Sequence, residues 1–531
     1  MPARFARVPL PLLLVLALAA VSLALLPATT AQGRSGPEPS SLVGVEAVAA
    51  LDRVESLFDG STDALTARRT ATVAQPDVTL ALRDLALARA ALPDERQAEA
   101  AAYLARPTDG NADPFGNGYR TAEAPRKCSA VVCVHYVTTT ADQSTPTYAD
   151  AALANATAVH QRYVAAGYRA PKGDGNRGGD ARPDIYLADI GDDGLYGYCT
   201  SDEPTATLSK KPWDTWAYCV LDNDYSPTQF SRQTPAENLQ VTTAHEYFHA
   251  VQFAYDVAED AWLLEATATW VEDELYDSVN DNLQYLRDSP LKKPNQSLDG
   301  FVDTFSYGAW VFFRRLTEQH PAEIGGLPSL IRDIWVKADG AAGGPDQYSL
   351  QAISSVLRQR RTTLAAEFGK FSAANRRPSS YEEGRANRYP KAPLAGRVRL
   401  SPGNKVSRVF SRRLAHLTSA TYQFQPSAQL EAKSWQLRIK LDLTPKARGS
   451  VAVITLNPKA GRARVFRVRL NSAGNATKTV PFSARQVRSV EVTVANAGDR
   501  FRCFRGTRFS CQGASLDDGL VQRLQGRLVR R

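Results

Sequence analysis

The sequence predicts an α+β protein in three parts: an N-terminal helical segment, a mixed α/β domain and a C-terminal all-β sandwich. Three observations carry this. Residues 42–106 are rich in Ala, Leu and Arg at helical spacing, as in the run from Val78 to Leu87. From Cys128 to Asn375 short β-branched runs alternate with long helical ones. After about Pro390 short strands recur at even spacing between turn residues, the pattern of a sandwich. A chain of 531 residues is also too long for one hydrophobic core. The expected divisions are 1–31, 32–126, 127–390 and 391–531.

The opening stretch stands apart. Arg4 and Arg7 precede an apolar run from Val8 to Leu26, and Thr29 and Ala31 supply the small residues of a signal-peptidase site. Residues 1–31 therefore read as a secretory signal. An uncleaved anchor is the alternative, since the run can span a bilayer. No other run has that length, so after signal removal the chain is expected to be secreted, with no membrane span. Residues 32–41 read as a disordered lead-in. The helical segment to Arg106 is either a pro-region or an integral part of the fold, and Gly110–Arg126 is a loop.

Strands are expected at Val131–Thr138, Asp184–Asp189 and Thr215–Leu221, with a helix at Tyr148–Ala166. A strong helix start follows. Thr234 can cap, Pro235 suits the first turn and Glu237 completes a capping box, so a helix should run to about Asp256. Further helices are expected at Ala261–Tyr276, Phe305–Glu318 and within 349–375. The sandwich strands are expected at 420–424, 435–441, 451–455, 465–470 and 490–494.

Six cysteines in an exported chain imply disulfides. Short loops close most easily, which favours Cys128–Cys133, Cys199–Cys219 and Cys503–Cys511. Charge is uneven. From Lys391 to Arg531 there are 28 Lys and Arg against 6 Asp and Glu, a net +22. Residues 32–390 hold 34 against 49, a net −15. A basic module joined to an acidic one implies two partners. For the basic part the expected partner is an anionic cell-surface polymer, and a solvated sheet face is the alternative.

The chemistry concentrates in His245-Glu246-Tyr247-Phe248-His249, inside the capped helix. Histidines four apart share one helix face, about 6 Å apart along the axis. Two imidazoles so placed can converge on one Zn²⁺ at about 2.0–2.1 Å. Glu246 beside the first of them can take a proton from a metal-activated water. The plain alternative is a buried helix whose histidines satisfy internal hydrogen bonds.

A third ligand is needed. A metzincin would place Gly at 252 and His at 255, where this chain has Gln252 and Tyr255. Asp256 lies about 10 Å beyond His249 along the helix. Glu265 is the expected ligand, because an acid among Trp262, Leu263, Leu264 and Ala266 is costly to bury unpaired. Glu272, two turns on, is the reserve ligand, and Glu259 lies in the connecting loop.

With these residues in view, His245-Glu-x-x-His249 followed by Glu265 resembles the gluzincin pattern of thermolysin-like zinc metallopeptidases. The run HEYFHAVQFAYD with WLLEATATWVEDELYD is more closely similar to a group of secreted bacterial proteins classed as metallopeptidases. The likeness extends from about Cys128 to Glu367. It implies a zincin-like catalytic domain over 127–390, a zinc cofactor, a protein or peptide substrate and endopeptidase hydrolysis. The gap from His249 to Glu265 is shorter than in thermolysin. The resemblance also implies a substrate-pairing strand edge, at Leu195–Tyr198 or Ala217–Leu221, and an oxyanion donor, for which Tyr307 and then His320 are the candidates. A surface- or polymer-binding protein with a non-catalytic zincin domain is the rival reading, and a zinc hydrolase of a non-peptide bond is a third.

Two smaller readings complete the sequence. Asp174-Gly-Asn-Arg-Gly-Gly-Asp180, with Asp184, Asp189, Asp192 and Asp193, is a candidate calcium loop, with an ordinary acidic loop as the alternative. His135, His160 and His416 are expected to be packed or surface residues rather than ligands.

Overall fold

The computed structural model describes residues 39–58, 78–110, 118–302 and 304–531, with side chains from Glu46 onward. The expected signal segment lies outside them. The chain divides into two compact units, Met1–Leu42 and Val43–Arg531, and the fold below is that of the second. It is mixed α/β, with a sheet-rich C-terminal region.

Three N-terminal helices, α1 (Pro39–Phe58), α2 (Val78–Ala88) and α3 (Asp94–Tyr103), are followed by β1 (Lys127–Cys128) and β2 (Cys133–His135). Next come α4 (Pro146–Ala165), β3 (Asp184–Ala188), β4 (Gly197–Thr200) and β5 (Tyr218–Asp222). These five strands form one sheet in the order β1-β2-β3-β5-β4. β2, β3 and β5 run parallel, and β4 is an antiparallel edge strand paired to β5 from Gly197↔Leu221 to Thr200↔Tyr218.

Side chains alternate across a strand, so each face of the sheet has its own core. Ile185, Leu187 and Leu221 point to the main helical core. Tyr186, Ala188, Tyr198, Tyr218 and Val220 point the other way, where Leu51, Val54, Leu82 and Leu85 of the N-terminal helices cover them. Burial on both faces explains the nearly unbroken apolar runs of β3 and β5. The strand expected at 131–138 contracts to Cys133–His135, because its ladder with β3 extends over only three residue pairs.

Helix α5 (Pro235–Asp256) begins on the expected capping box: Glu237 N–H donates to Thr234, and Thr234 N–H donates back to Glu237. Apart from Gln240, every residue from Asn238 to Asp256 is buried. A helix buried all round must satisfy its polar side chains internally, and this one carries His245, Glu246, His249 and Gln252. A four-residue connection leads to α6 (Ala261–Leu275), then α7 (Phe305–Gly308), α8 (Trp310–Gln319), the hairpin β6 (Glu323–Ile324) and β7 (Leu327–Pro328), α9 (Ser329–Ala338), α10 (Ser349–Gln359) and α11 (Leu364–Ala374). The helix expected over 305–318 is thus divided at Ala309. A side chain at Gly308 would collide with the carbonyls of Tyr285 and Asp288, so the chain can pass close to the 281–288 turn only with glycine there.

The C-terminal strands are β8 (Gly396–Leu400), β9 (Phe410–Leu414), β10 (Thr418–Pro426), β11 (Trp435–Asp442), β12 (Ser450–Pro458), β13 (Arg464–Arg467), β14 (Asn475–Pro481), β15 (Val487–Asn496), β16 (Phe501–Arg502), β17 (Ala514–Ser515) and β18 (Leu520–Arg530). They form one sheet of order β13-β12-β15-β10-β8 and another of order β14-β11-β18-β9, besides the small β16–β17 pair. Phe424, Ile454 and Val492 from the first sheet share a core with Leu437, Ile439 and Leu524 from the second. The outer face of the first sheet packs on α11, where a Cβ on Gly369 would lie 2.9 Å from Val451 Cγ2.

All three expected cysteine pairs form: Cys128–Cys133, Cys199–Cys219 and Cys503–Cys511. The last closes a loop that reaches the start of α6, where Cys511 N–H donates to Asp260 at 2.7 Å. Among the described residues no helix is long and apolar enough to cross a membrane.

Candidate metal centre

The two histidines of α5 and Glu265 of α6 converge. The antiparallel helices put Glu265 Oε2 at 3.3 Å from His245 Nε2, and its Oε1 at 3.3 Å from His249 Nε2. The imidazole rings are 4.8 Å apart at 75°. All three residues are buried, Glu265 and His249 to 0% exposure. His249 Nε2 has no hydrogen-bond partner there, and the Glu265 carboxylate faces the two imidazoles and Tyr307. A buried polar atom left unpaired costs free energy, so an unpaired His249 Nε2 opposite that carboxylate and His245 Nε2 fits a metal ion that would accept all of them. Among the described residues, His245, His249 and Glu265 form a group able to hold one.

The other ring nitrogens are fixed. His249 Nδ1 lies 2.7 Å from Gln252 Oε1, while Gln252 Nε2 donates to the Leu264 carbonyl at 2.9 Å and to Thr267 Oγ1 at 3.0 Å. Turning the amide over would set its oxygen against the Leu264 carbonyl. Nδ1 is therefore the protonated nitrogen, and Nε2 keeps its lone pair. Burial lowers the His249 pKa to about 4, which keeps the ring neutral. His245 Nδ1 lies 2.6 Å from Glu272 Oε1. Burial opposes charge on His245, but Glu265 and Glu272 outweigh it and raise its pKa well above the usual value. A dication between these groups would take that proton's place. Glu272, the expected reserve ligand, lies on the Nδ1 side and orients His245, so Glu265 alone of the two faces both Nε2 atoms.

Glu246 lies under the edge strand. A Cβ on Gly197 of β4 would be 2.8 Å from Glu246 Cγ and 2.8 Å from Thr242 Cγ2, so only glycine admits this approach. The Cys199–Cys219 bridge joins β4 to β5 beside the Glu246 carbonyl, 2.9 Å from Cys199 Sγ. Burial pushes the Glu246 carboxyl up to about 7; His245 lowers it, Glu265 raises it and a bond from Thr79 lowers it. The effects of His245 and Glu265 place Glu246 within electrostatic reach of the ligand set.

Tyr307 also reaches the centre. Its ring stacks on His245 at 5.9 Å and 13°, and on Tyr285 at 5.0 Å. It helps lower the Glu265 pKa, after the two histidines and against the effect of burial. His320 does not join them. It follows the ten-residue α8, about 15 Å long, at the opposite end from Tyr307, and lies 3.8 Å from Glu367.

The aspartates of the candidate calcium loop and the three other histidines outside the site have partners within the chain. Asp174, Asp184 and Asp202 surround the buried Arg106. Asp180 pairs with Arg182 and Arg126, and Asp189 and Asp192 accept from Gln229. In the candidate calcium loop, arginine thus occupies the place next to Asp174, Asp180 and Asp184. His135 binds Glu123 and Asp184, His160 binds Tyr247 and His416 binds Asp299. Tyr255 accepts from Arg169 N–H, away from the ligand set. Of the two expected strand edges, Leu195–Tyr198 leads into β4 at the sheet's margin, and Ala217–Leu221 falls in β5, which is interior.

No family model and no curated protein matches this sequence. Among solved structures that match, one is a family GH115 4-O-methyl-alpha-glucuronidase with specificity for decorated arabinogalactans, at 10% identity and a TM-score of 0.14. The match covers 69% of this chain and 54% of that one, so the chain spans about half the length of that protein.

Proposed function

We propose that the chain is a secreted zinc-dependent endopeptidase with a zincin-like domain, in which His245, His249 and Glu265 hold the ion and Glu246 is the general base. One observation carries this reading: ligand atoms of His245, His249 and Glu265 converge in a buried site beside a glutamate, and His249 Nε2 has no hydrogen-bond partner there. Two imidazoles and one carboxylate are a donor set of catalytic zinc sites, which keep a further position open. Three disulfides suit an oxidising compartment outside the cell.

When bound, zinc supplies a Lewis acid that polarises a carbonyl and makes water easier to deprotonate. The chain supplies the rest. Gln252 and Glu272 hold the two imidazoles with Nε2 forward. Glu246 takes a proton from the attacking water and passes it to the leaving amine. Tyr307, against His245 and Glu265, is the donor placed to stabilise the developing oxyanion.

Metal analysis of the purified chain with a general protein-hydrolysis assay tests the reading. About one zinc per chain is expected, with hydrolysis lost on chelation and restored by zinc. Full zinc occupancy without hydrolysis, in the intact chain and after a cut behind α2, would support the rival, a non-catalytic zincin domain.

A separate observation favours a second role for the C-terminal region. On the outer face of the four-stranded sheet, Arg438 lies directly opposite Arg527, with Lys440 next on the same face, while Arg523 is opposite Asp442. Like charges opposed across strands destabilise a sheet, and a bound polyanion relieves that repulsion. The proposed partner is an anionic cell-surface polymer. The full chain should stay on an immobilised phosphodiester polymer at low salt, and elute as salt shortens the Debye length to about 3 Å near 1 M. Arg438→Gln with Arg527→Gln should elute earlier; unchanged elution would refute this role.

A further inference from the structure

We propose that helix α2 is a built-in inhibitor of the metal centre, occupying the strand edge and the general base that an extended substrate requires. The inference rests on the peptidase reading above. A sheet edge presents unpaired backbone groups, and an extended chain binds by pairing with them. Strand β4 pairs with β5 on one side, and α2 packs against β4 on the other, so that edge is already taken.

A single hydroxyl makes the decisive contacts. Thr79 Oγ1 accepts the Cys199 N–H of β4 at 3.1 Å, and donates to Glu246 Oε2 at 3.4 Å. It thus occupies an amide open to a substrate carbonyl and the carboxylate that must accept a proton from water. Thr79 is 5% exposed and Glu246 6%, so solvent hardly reaches either. One turn along the helix, Arg83 is buried and donates to the Glu259 carbonyl at 2.8 Å, in the connection between α5 and α6. α2 therefore reaches from the strand edge to the loop that joins the two ligand-bearing helices.

Two features make α2 displaceable while the rest of the fold stays anchored. It is followed by a short turn in which Ala90 is exposed. Downstream, Arg106 is locked among Asp174, Asp184 and Asp202. A cut at Ala90 would separate α2 from that anchor. Until then, Leu82 and Leu85 hold the helix in the same core as Leu195 and Tyr198, and Leu80 and Leu87 hold it in the main helical core.

The test uses the full chain with a site-specific protease sequence inserted after Ala90, and Thr79→Val in the uncut chain. Three readouts are taken: zinc content, peptide hydrolysis and hydrogen exchange of the Cys199 amide. Cutting should raise hydrolysis by about tenfold or more, and expose the Cys199 amide to exchange. Thr79→Val, close in shape to the native residue, should raise hydrolysis and exchange without a cut. Uncut wild type that hydrolyses as fast as both Thr79→Val and the cut chain would overturn the inhibitor and leave the peptidase standing. A zinc-loaded cut chain whose Cys199 amide exchanges freely, yet which hydrolyses nothing, would overturn the peptidase reading and the inhibitor with it. If the cut helix stays docked, Thr79→Val decides: a rate equal to wild type refutes the proposal.

Discussion

Glu265→Gln is expected to abolish stoichiometric metal binding while the chain stays folded. The substitution keeps the size of a side chain that is 0% exposed, so the packing around α6 survives. It removes the charge that faces both imidazoles at 3.3 Å. A dication held by two neutral imidazoles and an amide lacks the anion that offsets its desolvation in a buried site. The loss should exceed the ~10–100-fold drop in affinity that follows removal of an orienting partner. Glu272→Gln and Gln252→Ala supply that comparison, since each touches an Nδ1 atom and neither faces the ion. Metal content after dialysis, with circular dichroism as a check on folding, measures all three. The expected order is near-complete loss for Glu265→Gln and partial loss for the other two. Equal retention by Glu265→Gln and wild type would remove Glu265 from the ligand set.

The residues that could be read from sequence are those whose signal is local. The Thr234–Glu237 capping box fixed where α5 begins, and the spacing of His245 and His249 put both on one face. Glu265 was legible because an acid within an apolar run needs a partner. The orienting residues were not. Gln252 looked only like a departure from another pattern, and Glu272 looked like a second ligand. What separates them from Glu265 is which ring nitrogen they face, a property of helix orientation that spacing does not encode. Thr79 was further from reach, since nothing near it in sequence marks a residue that meets Glu246 across 167 positions. In the C-terminal region, β9 and β18 carry a weak strand signal because outward arginines dilute their apolar alternation, as in Leu520-Val-Gln-Arg-Leu-Gln-Gly-Arg-Leu-Val-Arg530.

Glu246→Gln separates metal binding from catalysis most cleanly, and is expected to keep full metal content while hydrolysis falls by about 10²–10⁴-fold. Its carboxylate is absent from the group of atoms that can hold the ion, so the ligand set survives. What disappears is the buried carboxylate beside the ligand set that takes a proton from water and gives it up. The amide keeps the shape that Gly197 and Thr242 require, and its oxygen can still accept the Thr79 hydroxyl. A loss of activity therefore cannot be assigned to a collapsed strand edge. The change should appear in kcat, with KM little altered, because Glu246 acts on the proton rather than on substrate binding. Zinc content together with steady-state peptide hydrolysis gives the answer. A variant that holds zinc and cleaves at the wild-type rate would show that the base is another residue, and the assignment of Glu246 would fall.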